Sequence, residues 1–244
     1  MAKRFLRALF FDIDDTLYSS TDFAAKARQQ AVQAMVRTGL RVDPEFLLAE
    51  LLEVVREFGS NDSHHLDKLI KRLPPETVPE GAAPFIIQAG VMAYHQCKFR
   101  DFEPFADAHE VLRLLNEKKL LLGVISAGLP AKQIEKLLRL NILQLVECRH
   151  IFITEDVGIA KTNPKIYVRA CQAIGAAPDE CGYVGDNPLV DIDIPSRLGM
   201  RTFFSRRGGK YEKIYGDVQA DHVIHNFWDL LEVIDNEYEI VPYA

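Results

Sequence analysis

The run ALFFDIDDTLY, residues 8–18, limits what this chain can fold into more than any other stretch. Ala8, Leu9, Phe10 and Phe11 are apolar without alternation, the pattern of a parallel strand buried on both faces between layers of helix. At its carboxyl end stand Asp12, Asp14, Asp15 and Thr16, and that end is where open parallel sheets place their ligands. Asp12 and Asp14 are two residues apart, so while the chain stays extended their side chains share a face. Like charges held that close must be met by a cation or a proton. A polar turn capping the strand would not call for three aspartates within four positions directly after two phenylalanines.

The remainder supplies a sheet for that strand. From Phe99 onward helical and apolar segments alternate. Ala108, Val111, Leu112 and Leu115 mark a helix; Leu120–Ile125 reads as a buried strand ending at Ser126, Ala127 and Gly128; Ile134, Leu137 and Leu138 mark the next helix. His150–Ile153 is a further strand, with Lys161 on the loop that precedes a helix start at Asn163 and Pro164. Gly182–Gly185 ends in Asp186, with Asp191 five residues on, and Met200–Phe204 and Asp221–Ile224 are the last strands. Between Ser19 and Lys98 only helical periodicity appears, including Leu47, Leu51, Val54, Val55 and Phe58 after an Asp43–Pro44 start signal. That insertion is too long for a crossover in a doubly wound fold. The expectation is therefore an α/β core of residues 1–18 and 99–244, built on a doubly wound, mainly parallel sheet, with a small all-helical cap of residues 19–98.

With 48% hydrophobic residues in 244, the chain can bury a sizeable core. No apolar run approaches the roughly 18 residues that span a bilayer, and no signal-peptide core opens the sequence, so a cytoplasmic protein without membrane contact is expected. A formal charge of -6 argues against nucleic acid as a partner. Arg206, Arg207 and Lys210 read as an exposed basic loop, and Cys97, Cys148, Cys171 and Cys181 as buried free thiols with neither disulfide nor zinc spacing. His64, His65 and His95 show no metal-ligand spacing.

In a parallel sheet the strand ends that carry Asp12 and Asp14, Ser126, Lys161, and Asp186 and Asp191 face one edge. In that order and spacing, DIDDT, the serine of GVISAG, Lys161 and GDNPLVD resemble the four motifs of the haloacid dehalogenase-like hydrolase superfamily, in its phosphatase branch with an inserted helical cap. The resemblance implies an Mg²⁺-dependent phosphatase that hydrolyses small phosphomonoesters through an aspartyl phosphate. It implies attack by Asp12 and proton transfer by Asp14. It assigns Mg²⁺ to Asp12, the backbone carbonyl of Asp14 and Asp186, and the phosphoryl oxygens to Ser126, the amide of Ala127 and Lys161. Asp191 then orients metal-bound water or pairs with Lys161. Asp15 and Thr16 are expected to shape the loop, with the Thr16 hydroxyl bonding the backbone, and Asp193 to be a surface acid. Two departures stand out: Thr162 follows the lysine where the family often has proline, and Pro195 lies where a helix should already run.

Dehalogenases of the same superfamily lack a carboxylate at the position of Asp14, because halide leaves unprotonated. A phosphomutase differs only in the acceptor admitted. A noncatalytic phospho-receiver module would need neither the helical insertion nor the paired Asp12 and Asp14. The partner expected is a small phosphorylated metabolite; its identity, and homodimerisation through the cap, are left open by the sequence.

Overall fold

A computed structural model describes residues 3–242. The chain divides into two compact units, one running to Thr21 and resuming at Glu103, the other Asp22–Phe102.

The first unit is built on a six-stranded sheet. Its strands, after the short outlying β1 (Arg4–Leu6), are β2 (Ala8–Phe11), β3 (Leu121–Ser126), β4 (Ile151–Ile153), β5 (Cys181–Gly185), β6 (Arg201–Ser205) and β7 (His222–Ile224). They lie in the order β4-β3-β2-β5-β6-β7, every pair parallel. β2 is central and wholly buried, as its unbroken apolar run requires. After β2 the chain winds outward to β3 and β4, then returns past β2 to β5, so the direction of winding reverses beside the end of β2. Open parallel sheets place their ligands outside the carboxyl ends of the strands at such a reversal. Register makes the edge level: Phe11 pairs with Val124 on one side and Val184 on the other, and Ser126 pairs with Ile153.

Of the helices, α1 (Ser20–Arg37), α2 (Pro44–Phe58), α3 (His65–Arg72) and α4 (Ala83–Arg100) precede β3, while α5 (Ala108–Glu117), α6 (Pro130–Arg139), α7 (Thr154–Val157), α8 (Lys165–Ala173), α9 (Asp193–Arg197) and α10 (Phe227–Glu237) accompany the sheet. One side of the sheet packs Phe10, Ile125, Phe152 and Tyr183 against Ile166, Tyr167, Ala170 and Cys171 of α8. Burying each of the large aliphatic and aromatic side chains among these contributes about 1.5–3 kcal/mol. The second unit has its own core of Val32, Met35, Leu47, Leu51, Val54, Leu69 and Ile86. The Asp43 carboxylate caps α2 by accepting from the amides of Glu45 and Phe46. No described helix is long and apolar enough to cross a membrane.

Several expectations change in detail. β1 pairs in parallel with a last strand, β8 (Tyr238–Ile240); both are three residues long and partly exposed, so neither carries a strand's apolar signature. The division between units falls at Thr21 and Phe102 rather than residues 18 and 98, because α4 runs unbroken to Arg100. Cys148 is exposed, unlike the other three cysteines. Pro195 is the third residue of α9, which continues directly from a π-helical turn at Pro188–Ile192, so the proline lies within a helical segment that already runs before it. Asp193 is not a surface acid: its buried carboxylate accepts from the amides of Asp217 and Val218, both at 2.9 Å. Asp193→Ala should strand those two amides and lower the unfolding free energy by about 2–4 kcal/mol, read as a fall in the urea midpoint at unchanged m-value.

Candidate active site

Asp12 follows β2, and its amide extends the ladder to the carbonyl of Val184 at 2.9 Å. Its buried carboxylate accepts from Lys161 Nζ at 2.9 Å, and the same ammonium lies 2.6 Å from Asp191 Oδ1. Lys161 also sits 5.2 Å from the centroid of the Tyr183 ring, a ring fixed by its hydroxyl, which donates to the Ile125 carbonyl at 2.7 Å. Burial works against the lysine's charge, but Asp12 and Asp191 more than offset it and hold the ammonium well above its ordinary range. Asp191 is kept in place by the Asn187 amide, which donates to Oδ2 at 3.1 Å. A side chain at Gly185 would collide with Asp191, so only glycine fits there.

The third carboxylate has no such partner. Asp186, directly after β5, keeps a buried Oδ2 without a hydrogen-bond donor. Burial, then repulsion from Asp12, Asp191 and Asp15, pushes its proton affinity up to about 9. Asp12 is also raised, to about 6, by burial against the opposing pull of Lys161. Oxygens of Asp12, Asp186 and Asp191 lie within 4.8 Å of one another. Three buried carboxylates, once ionised, would exceed the one ammonium by two negative charges, and the oxygen donors and the unmet Oδ2 fit a hard divalent cation.

Asp14 lies apart from this carboxylate cluster. Its carboxylate accepts from Lys136 Nζ at 2.8 and 2.7 Å and from the Tyr18 hydroxyl at 2.6 Å. The Asp15 carboxylate instead accepts from the Thr21 amide at 2.9 Å and hydroxyl at 2.7 Å, pinning the start of α1. The left-handed φ of Asp15, 52°, is one that aspartate tolerates. Thr16 departs from expectation: its hydroxyl is buried with no hydrogen-bond partner, so it does not hold the loop through the backbone.

Ser126 closes β3 and is buried. Behind it, Gln133 of α6 donates to the Ala127 carbonyl at 2.6 Å, and the Gly128 amide donates to Thr154 Oγ1 at 3.0 Å. Gly128, at φ 135°, turns the chain where a side chain would run into Gln133. The basic segment is not simply an exposed loop. Arg207 is mostly buried, paired with Asp107 at 2.8 Å and stacked 3.9 Å over Phe105. Gly209 presses on Asp15, since an added Cβ would lie 2.8 Å from its Cγ. The Lys210 ammonium, only partly shielded from solvent, feels Asp186 and Asp14: that partial burial lowers its proton affinity, but Tyr211 and these two aspartates raise it overall.

Sequence reasoning passed over Lys136, Gln133 and Tyr183. The first two stand three residues apart on a helix that begins just after the SAG turn, a spacing that puts both on one face.

The family model for the haloacid dehalogenase-like hydrolase matches residues 6–199. A glyceraldehyde 3-phosphate phosphatase of Methanopyrus kandleri is 39% identical over 94% of this chain and 97% of its own length. That of Pyrococcus furiosus is 37% identical over 96% and 95%. Among solved structures, a phosphatase of the haloacid dehalogenase class from Thermococcus onnurineus superposes with a TM-score of 0.66 at 20% identity, covering 95% of this chain and 99% of that one.

The raised carboxylates fix a sign for pH. Asp12 and Asp186 bind protons more tightly folded than unfolded, from about 6 and about 9 against 3.8. Their contribution to stability is therefore full below about pH 4 and lost as pH rises toward about 9. Urea unfolding across that range in chelator should show this decline, and Asp186→Asn should remove its upper part.

Proposed function

The chain belongs to the haloacid dehalogenase-like hydrolase family, and from that premise we propose that it is an Mg²⁺-dependent phosphatase whose substrate is glyceraldehyde 3-phosphate, the substrate named for its full-length relatives. The observation that carries the reading is Lys161 bridging Asp12 and Asp191 at a strand edge beside the unmet Asp186. A nucleophilic carboxylate, a fixed cation and a place for a divalent ion thus meet where a phosphoryl group would enter.

Asp12 attacks phosphorus in line, the ester oxygen leaves, and an aspartyl phosphate forms on Asp12. The leaving group of glyceraldehyde 3-phosphate is a primary alkoxide, which departs with a proton from Asp14. Asp14 then takes a proton from the water that attacks phosphorus, and the Asp12–phosphate bond breaks. Both proton transfers balance, so Asp14 ends the cycle protonated as it began. Lys161 opposes the charge that grows on the phosphoryl oxygens, and Ser126 and the Ala127 amide hold those oxygens. Asp12, the Asp14 carbonyl and Asp186, with Asp191 supporting, would hold Mg²⁺, which would supply charge neutralisation at the phosphoryl group. The helical unit Asp22–Phe102 is read as the cap that selects the leaving group.

Asp12→Asn should abolish hydrolysis of p-nitrophenyl phosphate by about 10³-fold or more, and EDTA should stop it until Mg²⁺ is restored; activity indifferent to both would overturn the phosphatase reading. In a panel of phosphorylated metabolites followed by phosphate release, glyceraldehyde 3-phosphate should give the largest kcat/KM. Recovery of an isomeric phosphate ester in place of free phosphate would instead identify a mutase.

A further inference from the structure

On the phosphatase reading above, we propose that Lys136 is a positioning residue for the proton-transfer step, holding the Asp14 carboxylate through hydrogen bonds to both of its oxygens. Oδ1 accepts from Lys136 at 2.8 Å and from the Tyr18 hydroxyl at 2.6 Å, and Oδ2 accepts from Lys136 at 2.7 Å. Three donors on two oxygens fix the plane of the carboxylate and leave part of its roughly four lone-pair sites for a proton. An ordinary surface ion pair would not have this consequence, since long exposed side chains seldom hold one geometry. Here the Lys136 side chain is 21% exposed, and the tyrosine provides a second, independent anchor.

The placement of Lys136 gives the pair a further meaning. α6 begins four residues after Ser126, and Gln133 on the same face already holds the Ala127 carbonyl at 2.6 Å. One helix face thus fixes two parts of the site: Gln133 the turn proposed to bind phosphate, and Lys136 the side chain proposed to protonate the leaving oxygen. An Asp14 side chain that is 36% exposed would otherwise sample several rotamers. Holding it within a fraction of an ångström of the leaving oxygen is worth large rate factors.

The test separates leaving groups. p-Nitrophenolate departs without a proton, whereas a primary alkoxide does not, and kcat/KM reports the step that forms the aspartyl phosphate. Lys136→Met should lower the ratio of kcat/KM for glyceraldehyde 3-phosphate to that for p-nitrophenyl phosphate by about tenfold or more, part of the 10²–10⁴-fold that a positioned acid supplies. Lys136→Arg should restore most of that ratio, and Tyr18→Phe should lower it by less. An unchanged ratio in Lys136→Met, or an equal loss on both substrates, would overturn the proposal. Asp14→Asn, measured on the same two substrates, distinguishes the failures. If it depresses the ratio while Lys136→Met does not, only the role of Lys136 falls. If Asp14→Asn leaves the ratio intact, the acid role of Asp14 falls and the role of Lys136 with it.

Discussion

A buried ammonium between two buried carboxylates is the interaction on which the rest of the site depends. Lys161 and its partners Asp12 and Asp191 are all enclosed, and removing the lysine leaves two like charges uncompensated in a medium of low dielectric. The fold meets this constraint with rigid elements. Asp12 is carried by the central strand, Asp191 by the turn after β5, and the lysine by the loop that leads into α8. Tyr183 and Tyr167 close the space around them, their rings packed edge to face at 5.3 Å. The Tyr183 hydroxyl spends its proton on a β3 carbonyl and the Tyr167 hydroxyl on the carbonyl of Val190 at 2.7 Å, next to Asp191. Neither hydroxyl therefore competes for the carboxylates, and the electrostatic grip of Lys161 on Asp12 is undiluted.

From that constraint follows the separation of two aspartates that begin as near neighbours. Asp12 and Asp14 are two residues apart, and on an extended strand they would repel on one face. The turn after Asp12, closed by the Leu17 amide on the Ile13 carbonyl at 3.0 Å, ends the strand before Asp14 can share that face. Asp12 stays in the dry cluster with Lys161. Asp14 moves to a wetter position and acquires its own lysine and tyrosine. Two chemically identical groups are thereby given different environments, as the separate roles proposed for them would require.

The strand ends were legible in the sequence because parallel buried strands leave a blunt signature, an apolar run that stops at a polar residue. ALFF before Asp12, LLGVIS ending in Ser126 and CGYVG before Asp186 all have it. Lys161 was legible only through its spacing from the others, since nothing local distinguishes it from a solvated loop lysine. β1 and β8 left no trace because three half-exposed residues are too few for a periodicity. Lys136 and Gln133 were illegible for a different reason. They lie on a helix whose pattern is amphipathic in the ordinary way, and their importance comes from what stands opposite them in space, a tertiary fact with no sequence period. The same holds for Arg207, whose neighbours Asp107 and Phe105 lie about a hundred positions away.

The contrast among the buried aspartates carries the functional argument furthest. Six are buried among the described residues: Asp12, Asp15, Asp107, Asp186, Asp191 and Asp193. Asp15 receives the Thr21 amide and hydroxyl, Asp107 receives Arg207 and the Phe227 amide, and Asp193 receives two loop amides. Asp12 and Asp191 share Lys161. A chain that finds donors for five of its buried acids had the means to find one for the sixth, or to replace it with an apolar residue at little cost. Among the described buried aspartates, Asp191 Oδ1 also lacks a hydrogen-bond partner but has the Lys161 ammonium at 2.6 Å, whereas the inner oxygen of Asp186 has neither, and it lies in the same carboxylate cluster. The unmet oxygen makes Asp186 costly in the folded chain unless a cation meets it, so that cost is the counterpart of the divalent ion proposed to bind there.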